Sequence, residues 1–211
     1  MFFKKYKNKK LLLEDQFSQQ PKKFPIQLSQ NERSFLLKQL SNSRNYLEFG
    51  SGGSTFLSIL HSNTKIYSVE SDINWLEYLR KWKIIRENEG KRLFFNYIDI
   101  GKTGEWGVPI EKDKEHLYEN YSKSIFTLKK DFDLVFVDGR FRVACVLQTL
   151  LNCPETTKIL MHDFNDRPFY HNILDFLEII DTADTMALFK IKNLDRKKIT
   201  ILYDKEKNNY E

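Results

Sequence analysis

The segment Tyr46-Leu-Glu-Phe-Gly-Ser-Gly-Gly-Ser-Thr-Phe56, followed by Ile66-Tyr-Ser-Val-Glu70, constrains this chain more than any other. An apolar run carries Glu48 near its end, a glycine-rich turn and a helix-compatible stretch follow, and a second apolar run ends in Glu70. That order and spacing predict a βαβ unit built around a nucleoside. Glycines let the backbone approach the ligand, and a carboxylate ending the second strand can accept both ribose hydroxyls.

Glu48 narrows the ligand further. In a dinucleotide fingerprint the turn and the helix N-terminus hold a pyrophosphate, so a carboxylate two residues before the first glycine would sit beside like charge. The spacing also departs from G-x-G-x-x-G: Gly50 and Gly52 fit, Gly53 is extra, and Thr55 takes the third glycine position. A ligand with a cationic amino-acid end suits an acid there better, and S-adenosylmethionine carries both an ammonium and a sulfonium. On these residues the chain resembles the class I S-adenosylmethionine-dependent methyltransferases, whose first motif reads acid-x-Gly-x-Gly. The resemblance covers about residues 45–192 and implies a Rossmann-like, doubly wound α/β fold. It also implies cofactor contacts from Glu48, Gly50, Ser51, Gly52, Gly53, Ser54, Thr55 and Glu70, with Asp99 near the adenine amino group.

The rest of the pattern agrees with one α/β unit. Strands are predicted at 46–49, 66–70, 93–98, 133–137 and 158–162, with helices at 54–61, 73–88, 115–129, 141–151 and 169–180 between and after them. Two closing strands, 185–192 and 198–204, complete a seven-stranded, mostly parallel sheet with a C-terminal antiparallel hairpin. A helix over 28–40, with Ser29 able to cap it, precedes the first strand. Domain limits are therefore a basic N-terminal arm, 1–27, and a single domain, 28–211.

Charge is unevenly spread over the 211 residues: the net is +5, yet residues 1–45 alone carry ten Lys/Arg against three Asp/Glu. A nucleic-acid enzyme usually lays basic charge across its active face, so nucleic acid is disfavoured as partner. Peripheral contact of the arm with an acidic surface stays open, beside a plain solvated lead-in. No run of about eighteen apolar residues is present. No signal peptide is legible and the two cysteines are too few for a disulfide framework, which points to the cytoplasm. Nothing indicates the oligomeric state.

In an open parallel sheet, ligands bind beyond the carboxyl ends of the strands. An acid ends or follows each of the five parallel strands: Glu48, Glu70, Asp99, Asp138 and Asp163. Phe132-Asp-Leu-Val-Phe-Val-Asp-Gly-Arg140 delivers Asp138 to the rim, and Ile159-Leu-Met-His162-Asp163 adds an imidazole and a second acid. Asp138, His162 and Asp163 are thus the expected catalytic set. His162 can serve as base towards a hydroxyl. Asp138 and Asp163 match the metal-holding acids of the catechol O-methyltransferase type, but Phe164 replaces its asparagine, so Mg²⁺ is possible and not favoured. Arg140, Arg142, Arg167 and Trp106, the last in a glycine-bearing loop, are expected around the acceptor. This pattern is closest to small-molecule or sugar O-methyltransferases. An RNA methyltransferase using the basic arm, and a non-catalytic cofactor-binding scaffold, are the alternatives.

Overall fold

The computed structural model describes residues 14–211. Seven strands form one sheet: β1 (Asn45–Phe49), β2 (Lys65–Glu70), β3 (Leu93–Tyr97), β4 (Leu134–Val137), β5 (Lys158–Met161), β6 (Leu177–Ala183) and β7 (Met186–Ile191). Their spatial order is β3-β2-β1-β4-β5-β7-β6. β1 to β5 pair in parallel, and β7 runs against both β5 and β6. The order reverses at β1, and the crevice at that reversal is where such a sheet binds ligands.

Seven α-helices lying wholly within the described residues flank the sheet: α1 (Gln30–Leu40), α2 (Gly53–His61), α3 (Ile73–Leu79), α4 (Lys83–Asn88), α5 (Glu115–Lys123), α6 (Arg142–Asn152) and α7 (Arg196–Glu206). β1, β2, β4 and β5 are almost continuously buried, as expected of strands covered on both faces, whereas β3 at the edge of the sheet buries only Leu93 fully. Leu47, Phe49, Val135 and Val137 pack on the α6 side, whereas Tyr46, Phe56, Leu134 and Phe136 pack on the α2 side. Helix α1 begins as its sequence suggests. Ser29 accepts from the Glu32 amide at 3.1 Å while Glu32 accepts from the Ser29 amide at 2.9 Å, a capping box.

Three elements differ from the sequence reading. The helix expected over 73–88 is two helices, because Trp82 adopts an extended backbone and turns its fully buried ring edge-on to Phe56. The helix expected over 115–129 is α only to Lys123; a 3₁₀ segment follows and Lys129 ends it at φ 48°. The largest difference lies near the C-terminus. Residues expected as a helix over 169–180 form a 3₁₀ segment, Pro168–Asp175, and then β6, whose Ile179, Ile180 and Thr182 suit a pleated edge strand. The hairpin is β6–β7, turning through Asp184 at φ 50°, and residues 198–204 lie in α7. Asp195 caps that helix by accepting from the Lys198 amide, and Ile199 and Tyr203 bury its inner face.

The described part of the arm is laid against the domain. Asp15 accepts from the amides of Lys22 and Lys23, and the Phe24 ring stacks on Phe56 at 4.8 Å. Ile26 abuts Gly53, where an added Cβ would lie 2.6 Å from its side chain. Residues 1–13, with most of the arm's lysines, lie outside the described region.

Candidate active site

The turn after β1 is built around close backbone approach. Gly50 has φ +96°, and a Cβ there would lie 2.8 Å from the Gly139 backbone, so the β1 and β4 ends meet with no room for a side chain. The amides of Gly53 and Ser54 open α2 and have no backbone or side-chain partner among the described residues. They form an anion-receptive helix N-terminus suited to a carboxylate.

Glu70 sits at the end of β2 against this turn. Its Oε2 accepts from the Ser51 amide at 3.1 Å, and its Oε1 from the amides of Ser71 and Asp72 at 2.7 and 2.9 Å. Burial lifts its pKa to about 7, the three amides offsetting only part of that penalty. Asp99, past β3, is exposed and accepts from the Gly101 amide at 2.9 Å. The loop that follows folds over the same crevice: a Cβ at Gly107 would lie 3.9 Å from both Ser71 Oγ and Arg140 Cγ. Trp106, at φ 62° and 56% exposed, stands at the outer edge of that loop.

Glu48 has a different neighbourhood from the one its sequence position suggests. It is fully buried, and its carboxylate accepts from Ser54 Oγ and Ser68 Oγ at 2.7 Å each, from Tyr46 OH at 3.1 Å, and from Thr55 Oγ1. Burial raises its pKa despite these donors. Four hydroxyls saturate the group, so it braces the turn from behind and offers the crevice no free oxygen. Its partners Tyr46 and Ser68, and the Ser54-Thr55 pair opening α2, are visible in the sequence as a hydroxyl cluster with Glu48's strand periodicity.

A dense charge network joins the ends of β4 and β5. His162 Nδ1 lies 2.8 Å from Asp138 Oδ1 and 3.4 Å from Asp163 Oδ1, and its Nε2 lies 3.4 Å from Glu32 Oε2. Burial depresses the His162 pKa, but the Asp138 hydrogen bond and the charges of Asp138, Asp163 and Glu32 outweigh it and lift the group to about 9. These partners favour the protonated imidazole at neutral pH. In that form it donates to Asp138 and does not serve as a base, which disfavours the role expected of it. Glu32, which the sequence reading used only implicitly as part of the first helix, also accepts from Thr185 Oγ1 at 2.7 Å. The signal for it was the Ser29-x-x-Glu32 capping box.

The arginines divide sharply. Arg142 is 3% exposed and spans both strand ends, donating to the carbonyls of Gly139 and His162 and pairing with Asp138 and Asp163. Arg167 pairs with Asp163 at 2.8 Å. Arg142 is thus too enclosed to meet an acceptor, contrary to expectation, while Arg167 keeps a third of its side chain exposed. Arg140 makes no ion pair among the described residues, and its buried Nε has no partner. Asp138 itself is held below the usual carboxylate range: the His162 bond and the charges of His162, Arg142 and Arg140 overcome its burial penalty.

Asp138, His162 and Asp163 bring ligand-type atoms within 4.8 Å of one another. Their chemistry does not fit a metal. Two guanidiniums already pair with both acids, and Phe164, at the sequence position where the resembled type carries its asparagine, is an apolar ring 1% exposed in the core.

By sequence, no family model and no curated protein matches the chain. By structure, a methyltransferase-like protein from Silicibacter pomeroyi is similar over 91% of this chain and 100% of its own, with a TM-score of 0.80 and 26% identity. A methyltransferase from Podospora anserina, bound to S-adenosylhomocysteine, covers 79% of this chain and 80% of its own at TM-score 0.57 and 15% identity. An O-methyltransferase from Bacillus cereus, also in complex with S-adenosylhomocysteine, covers 80% and 84% at TM-score 0.50 and 18% identity. With the strand order and the reversed seventh strand, these likenesses give the chain the fold of the class I S-adenosylmethionine-dependent methyltransferases.

Proposed function

We propose that this protein is an S-adenosylmethionine-dependent methyltransferase acting on an oxygen of a small or carbohydrate acceptor. The observation that carries the reading is the meeting of Glu70, the Gly50–Gly53 turn and Asp138 at the point where the strand order reverses. Glu70 presents a carboxylate for the ribose diol, the Gly53 and Ser54 amides receive the cofactor's carboxylate, and Asp99 lies on the adenine side. The bound cofactor supplies an electrophilic methyl group on a cationic sulfur.

The residues of the chain do the rest. Asp138 Oδ1 is fixed by His162 and Arg142, while Oδ2 has no hydrogen bond among the described residues and 29% of the side chain is exposed. That oxygen accepts a hydrogen bond from the acceptor hydroxyl and directs its lone pair towards the methyl group, the orientation an in-line displacement demands. A strong base is unnecessary. An alcohol oxygen that gains a carbon substituent becomes far more acidic than a carboxylic acid, so a low-pKa aspartate can receive its proton. His162, Arg142 and Glu32 act as positioning groups for Asp138, and Arg140, the unpaired cation of the rim, contacts the acceptor.

A panel of hydroxylated small molecules and oligosaccharides, assayed by mass for a 14-dalton gain (about one CH₂), tests the reaction. Asp138→Asn is expected to slow transfer about 10²-fold, and a chelator is expected to leave it unchanged. Full activity in Asp138→Asn, or products methylated only on nitrogen, would overturn the assignment.

A further inference from the structure

The end of the sheet opposite the crevice carries charge of the other sign. Each parallel strand is entered from a short segment at its foot, and β7 delivers the chain to the same end. These foot segments, residues 41–45, 62–65, 89–93, 129–134, 153–158 and 192–198, hold eleven Lys and Arg against five Asp and Glu. The register makes the arrangement a row. Lys65 opens β2 beside Asn45, Arg44 precedes β1, and Lys158 opens β5 beside Leu134. Lys91 precedes β3, and Lys129 and Lys130 precede β4. Neighbouring strands stand about 4.8 Å apart, so five of them spread these cations over roughly 20 Å.

All six side chains belong to exposed residues, and none is ion-paired among the described residues. Two arginines of the same end are consumed differently. Arg92 donates to the carbonyls of Ile59, Ser62 and Thr64, and Arg196 to the carbonyl of Leu151. What remains free is mostly lysine: compact point charges on flexible stems, unlike the planar forks that grip individual phosphates. The large apolar side chain exposed here is aliphatic, Leu128 at 46%, next to Lys129 and Lys130. Of the exposed aromatics Phe17, Tyr97, Trp106 and Phe169, none belongs to the foot segments, which therefore supply no stacking platform of the kind on which single-stranded nucleic acid is held.

We propose that the foot of the sheet is a docking surface for an anionic lipid bilayer. A row of free lysines around an exposed leucine matches such a surface in sign and chemistry: ammonium groups reach the headgroups while stems and the leucine meet the acyl boundary. Residues 1–13 add five lysines, no acid, and Phe2, Phe3 and Leu11–Leu13 to the same chain, a composition suited to the same surface. Docking by the foot leaves the crevice, at the opposite strand ends, open to solvent. The inference is independent of the reaction proposed above.

The test is sedimentation of the full chain with sucrose-loaded vesicles of phosphatidylcholine alone or with about 30% phosphatidylglycerol, alongside anisotropy with a labelled single-stranded RNA. The variants are a foot set, Lys65→Glu, Lys129→Glu, Lys130→Glu and Lys158→Glu combined, and a control at the opposite end, Lys112→Glu with Lys114→Glu. Circular dichroism checks that both melt like the wild type, and if the foot set does not, the neutral set with Gln replaces it. Expected is binding to the anionic vesicles only, weakened by salt, at least about tenfold weaker in the foot set and unchanged in the control. Absence of vesicle binding, equal binding by the foot set, loss only on deleting residues 1–13, or RNA binding that outcompetes the vesicles would overturn it.

Discussion

The two ends of this sheet treat charge in opposite ways. At the carboxyl ends of the strands, Glu48, Glu70, Asp138, His162, Arg142 and Asp163 are buried or half-buried, and each is bonded to named partners. At the amino ends, Arg44, Lys65, Lys91 and Lys158 project into solvent without a partner among the described residues. Removing a paired group from the first set strands its neighbours in low dielectric, whereas removing one from the second forfeits only a screened, long-range interaction. The same residue types therefore hold geometry at one end and leave a field available to a partner at the other.

The strongest way to break that contrast is at Arg142. Arg142→Met leaves Asp138 and Asp163 short of a buried countercharge and is expected to cost about 3–5 kcal/mol in denaturant unfolding. Lys158→Met, at the foot, should stay within about 0.5 kcal/mol. Comparable losses would mean that the two ends are not distinct. Next is Glu48→Gln, which turns a saturated acceptor into an amide facing hydroxyl donors; about 1–3 kcal/mol is expected. Its ligand affinity should survive if the group only braces the turn.

A pH series sharpens the picture at His162. Its folded pKa, about 9, lies above the ordinary histidine value of about 6.5. The stabilisation it gives is thus complete below about 6.5 and disappears as pH rises through 9. The stability difference between wild type and His162→Gln should shrink over that window, and a constant difference would remove the charged pairing with Asp138. Glu70 runs the other way. An acid lifted from 4.5 to about 7 by burial costs the fold progressively as pH rises between those values. It is also poised to grip hydroxyls best when ionised, so affinity for S-adenosylhomocysteine should rise as pH passes 7, and not in Glu70→Gln. The smallest effect belongs to the foot, where Lys129→Glu should change stability by only a few tenths of a kcal/mol.

Much of this was legible before the fold. The glycine turn and the acid ending each parallel strand follow from apolar runs punctuated at regular spacing, and they lie where that pattern places them. What the glycine-motif spacing alone did not convey was which way Glu48 faces. Glu48 shares a face with Tyr46, so period two turns it inward to the Ser54, Thr55 and Ser68 hydroxyls. Nor could it convey pairing: Arg140 and Arg142 differ by two positions, yet one is locked between two strand ends and the other has none of its bonds. The C-terminal region misled for another reason. Leu177–Ala183 and Arg196–Glu206 are short, with apolar residues that fit either period, and tertiary pairing with β7 and α6 decides between them.

The central claim is that Glu70 and the Gly50–Gly53 turn form an adenosyl pocket, and calorimetric titration with S-adenosylhomocysteine tests it most directly. Wild type is expected to bind in the micromolar range and Glu70→Ala at least about tenfold more weakly, as loss of charge-assisted bonds to a diol requires. NAD should bind neither. Wild type that fails to bind S-adenosylhomocysteine, or binding unchanged in Glu70→Ala, would contradict the account.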